Sequence, residues 1–71
     1  SSLNVEYIAD KANSAKLIIQ MTSDPKVNYV YSINPKLSHF TVNVSNFQTA
    51  PYNVKLICDG KKVDSKQLII Q

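Results

Sequence analysis

Apolar residues recur at every second position over most of this chain, and polar residues fill the gaps between them. Leu3, Val5 and Tyr7 alternate with Asn4 and Glu6, a period of two that predicts a half-buried β-strand. The stretch from Ala9 to Ala15 breaks the pattern with Asp10, Asn13 and Ser14, and reads as a polar connection with room for one helical turn. Lys16 to Met21 resumes the alternation, with Leu17, Ile19 and Met21 on one face and Ile18 making the other partly apolar. Val27 to Ile33 follows, with Val27, Tyr29, Tyr31 and Ile33 on one side. His39 to Val44 points Phe40, Val42 and Val44 inward and Thr41 and Asn43 outward.

The punctuation between these runs has physical causes. In Thr22-Ser23-Asp24-Pro25 the aspartate side chain can bond nearby backbone while proline presets φ, which marks a turn. Asn34-Pro35-Lys36 ends the third strand, because proline restricts its predecessor and cannot donate to a ladder. Ser45 to Pro51 is a connection in which Phe47 is expected to tuck under the loop as a plug. Tyr52, Val54, Leu56 and Cys58 alternate up to Asp59-Gly60, and the chain returns from Lys61 through Val63 to Leu68 and Ile70. Asp-Gly between two such runs signals a hairpin, since a type I′ turn needs positive φ at both central residues. Short strands with turns about every ten residues predict an all-β fold, a small immunoglobulin-like β-sandwich of six to seven antiparallel strands. The expected core is Leu17, Ile19, Tyr29, Tyr31, Phe40, Val42, Val54, Leu56 and Ile70, with Lys16, Lys55 and Asn43 exposed. Lys16-Leu17-Ile18-Ile19-Gln20 and Lys66-Gln67-Leu68-Ile69-Ile70-Gln71 echo each other, as two strands with similar burial needs will.

Length adds one constraint. Seventy-one residues make a single domain, residues 1–71, with a marginal core. Cores this small usually lean on a disulfide, a metal or a neighbour, and the lone Cys58 excludes an internal disulfide and any Cys-based zinc site. The chain is 44% hydrophobic and 18% charged, too apolar for intrinsic disorder, and no run is long enough to span a bilayer as a helix. Its net charge of +3 comes from dispersed lysines without a single arginine. Nucleic-acid binding needs a basic stripe or an aromatic platform, and neither is present. Ser1 opens no signal-peptide pattern, so the expectation is a mature product or a domain of a longer chain.

The candidate chemistry is sparse. His39 is the only histidine and sits at a strand end facing solvent; no Gly-x-Ser-x-Gly elbow supplies a nucleophile for it. Glu6, Asp10, Asp24, Asp59 and Asp64 lack calcium-loop spacing, and one histidine cannot assemble a transition-metal site. Cys58 lies on the inward parity of its strand, where a cysteine packs as a small hydrophobe. Tyr29, Tyr31 and Tyr52 match either a carbohydrate platform or core filling, and Asn43-Val44-Ser45 matches a glycosylation acceptor within a strand. The residues imply no enzyme and no cofactor.

The segment Phe40 to Leu56 resembles the "v-v-s-L-x-x-G-x-Y-x-v-x-l" stretch of C-terminal β-sandwich domains in secreted Bacteroidetes proteins. Cys58 to Gln71 is similar to that family's final hairpin, a turn followed by a lysine-bearing apolar strand. Members include the sorting domains of the type IX secretion system. Tyr52 after its loop, the Asp59-Gly60 turn and Lys66 before the last apolar strand are the informative matches; Ala50-Pro51 stands where the family carries a glycine. The resemblance implies the C-terminal part of a longer exported protein, located in the periplasm, at the cell surface or outside the cell. It further implies a non-enzymatic sorting or attachment module whose partner is the secretion machinery or a neighbouring domain. Asp59, Gly60, Lys61, Lys62, Lys66 and Ile69 would form the partner-binding surface, with the final strand open to strand addition. Ile69 stands out because it points opposite to Leu68 and Ile70, where a strand with one solvent face carries a polar residue. The alternatives are an adhesion module contacting protein or carbohydrate, and a structural domain without a ligand.

Overall fold

Six strands account for most of the chain in the computed structural model, which describes residues 1–71. They are β1 (Ser2–Glu6), β2 (Ala15–Met21), β3 (Asn28–Ile33), β4 (His39–Asn43), β5 (Ala50–Cys58) and β6 (Lys61–Ile70). Every pairing is antiparallel, and there is no helix. β1 and β4 form a two-stranded sheet, while the other four form a sheet in the order β3-β2-β5-β6. The fold is therefore all-β, with two antiparallel sheets of unequal width sharing one apolar core.

The alternation sets the inner faces. Leu17 and Ile19 from β2, Val42 from β4, and Tyr52, Val54 and Leu56 from β5 are all buried, as the period of two requires. Tyr29, Tyr31 and Phe40 are only half-buried, because they lie toward the open side of the core rather than at its centre. Tyr29 stacks on Phe47 with ring centroids 4.0 Å apart, so Phe47 does plug the loop above the sheet. Asn43 and Lys16 are exposed; Lys55 is half-buried instead, since its Nζ reaches across to donate to Gln20 Oε1 at 2.9 Å.

The connection from Ala9 to Ala15 holds no helix. It closes a turn in which the Ala12 N–H donates to the Ala9 carbonyl at 3.0 Å, and both alanines are buried. Small side chains let this loop seal one end of the core. Two further bonds pin the loops at that end: the Tyr7 hydroxyl donates to the Asn34 carbonyl at 2.8 Å, and Lys36 Nζ to the Asp10 carbonyl at 2.7 Å. At the start of β5 the Tyr52 hydroxyl donates to the Gln48 carbonyl, four residues upstream, at 2.8 Å. That bond matches the tyrosine corner of antiparallel two-sheet domains, and it ties the loop to the most buried aromatic ring in the chain.

Candidate interaction surface

The β5–β6 hairpin turns at Asp59 and Gly60 with φ of 51° and 83°, both positive as a type I′ turn demands. Nothing lies within contact of a Cβ built on Gly60, so the backbone angle rather than crowding requires glycine there. Asp59 does more than turn the chain. Its Oδ1 accepts N–H bonds from Asn13 and Ser14, each 3.0 Å, and its own N–H donates to the Ser14 carbonyl. The carboxylate thus clamps the hairpin tip to the β1–β2 connection.

The six residues singled out in the sequence do not share one surface. Leu56 pairs with Asp64 while Ile57 pairs with Lys62, so Val63 is an extra residue and β6 carries a bulge. Beyond the bulge, Asp64, Lys66, Leu68 and Ile70 lie on the same face as Leu56, Val54 and Tyr52. Lys66 therefore sits on the core side of the sheet, whereas Ile69 lies on the opposite face across from Pro51. Lys61 and Lys62 extend beyond both beside the turn. All four are exposed, as is every residue from Lys61 to Gln67, and Ile69 is 64% exposed.

The hydrogen-bond phase shows which backbone groups remain open. Antiparallel neighbours alternate between pairs that exchange both bonds and pairs that exchange none. The bonds from Thr22 N–H to the Pro51 carbonyl and from Asp59 N–H to the Ser14 carbonyl direct odd-numbered β5 residues toward β2. Even-numbered β5 residues then face β6, which leaves the backbone of Ser65, Gln67 and Ile69 on the open edge. One of these donors is already taken: the Ser65 N–H donates to Asp64 Oδ1 at 2.8 Å. A bulge, a capped donor, three lysines and a charge pointing inward are devices that blunt an edge against casual pairing.

The other outer strands are β3 in the same sheet and β1 and β4 in the smaller one, and the open edge of β1 borders the core on the side of β6. Tyr7 N–H donates to the Ser38 carbonyl and Val44 N–H to the Ser1 carbonyl, so odd-numbered β1 residues bond β4. The backbone of Ser2, Asn4 and Glu6 consequently faces away from the sheet. Beside that edge runs a groove of about 300 Å³ between β1 and β6, with Leu3, Val5, Leu17, Val54, Leu56 and Leu68 in its apolar lining. Glu6, Asp64 and Lys66 stand along its polar side. Nothing local to Ser2–Glu6 signals this edge, because it follows from sheet order.

His39 is exposed, and no three of the His, Cys, Asp and Glu side chains come together. Cys58 is half-buried rather than fully inside, because it ends β5 next to the turn. Tyr31 and Tyr52 have phenol pKa values raised above the ordinary value, first by burial and then by the neighbouring Tyr29. These rings are core components, with Phe47 packed between Tyr29 and Tyr52. No family model, curated protein or solved structure matches the chain.

Proposed function

We propose that this chain is a non-enzymatic sorting or attachment module of an exported protein, built as a small immunoglobulin-like β-sandwich and recognised through its β5–β6 hairpin. The observation that carries the reading is the uninterrupted exposure from Lys61 to Gln67 in a ten-residue strand. A strand that serves only the core would bury one of its faces over that length. Here the hairpin instead displays three lysines, with Val63 and Ile69 as exposed apolar contacts. The tyrosine corner at Tyr52 supports the immunoglobulin-like assignment. The capped Ser65 N–H and the bulge at Val63 favour recognition through these side chains over simple extension of the sheet along the whole of β6. A sugar-binding platform has no comparable support, since Tyr29, Tyr31 and Tyr52 are engaged in the core.

The test fuses the domain to a reporter in a host that has the type IX machinery. Ile69→Asp, and separately Lys61→Glu with Lys62→Glu, should abolish sorting while circular dichroism and melting show an intact fold. Deleting Lys66 to Gln71 is less informative, because Ile70 is buried and its loss perturbs folding. Normal export of both folded surface variants overturns the proposal.

A further inference from the structure

We propose that the open edge of β1 is a strand-acceptor site, taking an extended segment of another polypeptide that is apolar at alternate positions. This goes beyond recognition of the hairpin and uses a different edge. The two sheets leave four outer strands, β1, β3, β4 and β6, and of these β1 and β6 flank the groove and differ in their protection. β6 is bulged, capped at Ser65 and lysine-rich, whereas β1 is a five-residue strand with no bulge in its pairing to β4. Unguarded edges are the ones that pair.

The groove fits a strand better than a compact ligand. One wall is backbone, with donors and acceptors of Ser2, Asn4 and Glu6 recurring at every second residue, a repeat that only another extended chain satisfies. From Leu3 to Tyr7 the groove is about 14 Å long at the usual rise per residue, room for about three inward side chains at alternate positions. Leu3, Val5 and Leu68 are each only half-buried although all lie on core-facing positions, so an incoming apolar side chain would complete their burial. The charge pattern sets the polarity along the occupant. Its apolar side chains should lie over the Leu3–Leu68 end, and a polar side chain should lie at the other end, where Glu6 meets Asp64 and Lys66. Strand addition of this kind draws affinity from main-chain bonds and selectivity from alternate pockets.

Hydrogen exchange on the ¹⁵N-labelled domain reads this directly. The probe is a synthetic peptide with valine or leucine at alternate positions, threonine between them and one terminal serine in place of an apolar residue. Saturating peptide should slow exchange at Ser2, Asn4 and Glu6 by about tenfold or more, and leave Leu3 and Val5, already bonded to β4, nearly unchanged. The same peptide N-methylated at alternate residues should bind no better than buffer, a control that needs no mutation of the domain. Val5→Asp should weaken binding, and Ile69→Asp should not, which separates this site from the hairpin. Unchanged exchange at the three amides overturns the proposal, as does protection at Gln67 and Ile69 instead. Protection that rises with domain concentration in the absence of peptide would mean that a second copy fills the edge, and also overturns it.

Discussion

β2 and β6 contain nearly the same apolar string and have opposite fates. Lys16-Leu17-Ile18-Ile19-Gln20 lies in the middle of the four-stranded sheet, where Leu17 and Ile19 are 1% and 0% exposed. In β6, Leu68 and Ile70 occupy equivalent core-facing positions, yet Leu68 is only half-buried. The contrast on the other face is sharper: Ile18 is half-buried between β3 and β5, while Ile69 is largely exposed at the edge. Neighbours, not composition, make this difference. A central strand is flanked twice, and the narrow two-stranded sheet does not reach across to cover β6. Sequence similarity between strands therefore says little about how strongly each holds the fold together.

Matched substitutions turn that contrast into numbers. Ile19→Ala should cost about 3–4 kcal/mol, because the cavity lies deep between two flanking strands and cannot collapse. Ile70→Ala removes the same atoms from the edge strand, two strands along the sheet, and should cost nearer 2 kcal/mol, since the edge relaxes more easily. Urea denaturation of both variants checks the ordering. Equal losses would mean that β6 is as firmly enclosed as β2.

The next effect tests the tip of the hairpin. Asp59→Ala loses the acceptor for two N–H groups and places a Cβ-bearing residue without a polar side chain at φ 51°, so about 1–2 kcal/mol should go. Asp59→Asn keeps an acceptor and tolerates that φ, and should recover most of the loss. If the two variants are equally stable, the clamp to Asn13 and Ser14 contributes nothing.

Much of this was legible beforehand, for reasons that can be stated residue by residue. The inner faces of β2, β4 and β5 follow from a strict period of two, and the Asp59-Gly60 turn follows from the only residue pair that accepts positive φ twice. The bulge was not legible: Val63 and Leu68 have opposite parity, and that pattern alone does not separate a slipped strand from an outward-facing Val63. Ala9 and Ala12 were passed over because small residues in a polar stretch look like loop, and only the fold shows them closing the core. The β1 edge was invisible for a different reason. Which strand lacks a second neighbour is a property of sheet order, and nothing local to Ser2–Glu6 records it.

Tyr52 offers a smaller effect with a sign that can be worked out. Tyr52→Phe leaves the Gln48 carbonyl without its partner and should cost about 1 kcal/mol near neutral pH. The phenol's pKa is raised in the folded state, so its neutral form is the one the fold favours. Its contribution is complete below the unfolded value of about 10 and is lost as pH rises from there through the folded value. Wild type should therefore lose more stability than Tyr52→Phe between neutral and strongly alkaline pH, every other titrating group being common to both. Parallel losses in the two proteins would show that the ring is more open to water than its place against Phe47 suggests.

The smallest expected change carries the most functional weight. Ile69→Asp should alter stability by no more than about 0.5 kcal/mol, because the side chain is mostly in solvent and faces only Pro51 across the ladder. Ile18→Asp, the equivalent change in β2, should cost several times more, since Ile18 is half-buried between Val30 and Lys55 on its flanking strands. Thermal melts of the pair measure the difference. An exposed isoleucine needs no explanation by itself. A near-zero cost for Ile69→Asp would remove any folding role for this residue and leave its effect on sorting to be read without ambiguity. A loss as large as that of Ile18→Asp would mean that Ile69 is covered within the domain, and the hairpin would then lose its apolar contact for a partner.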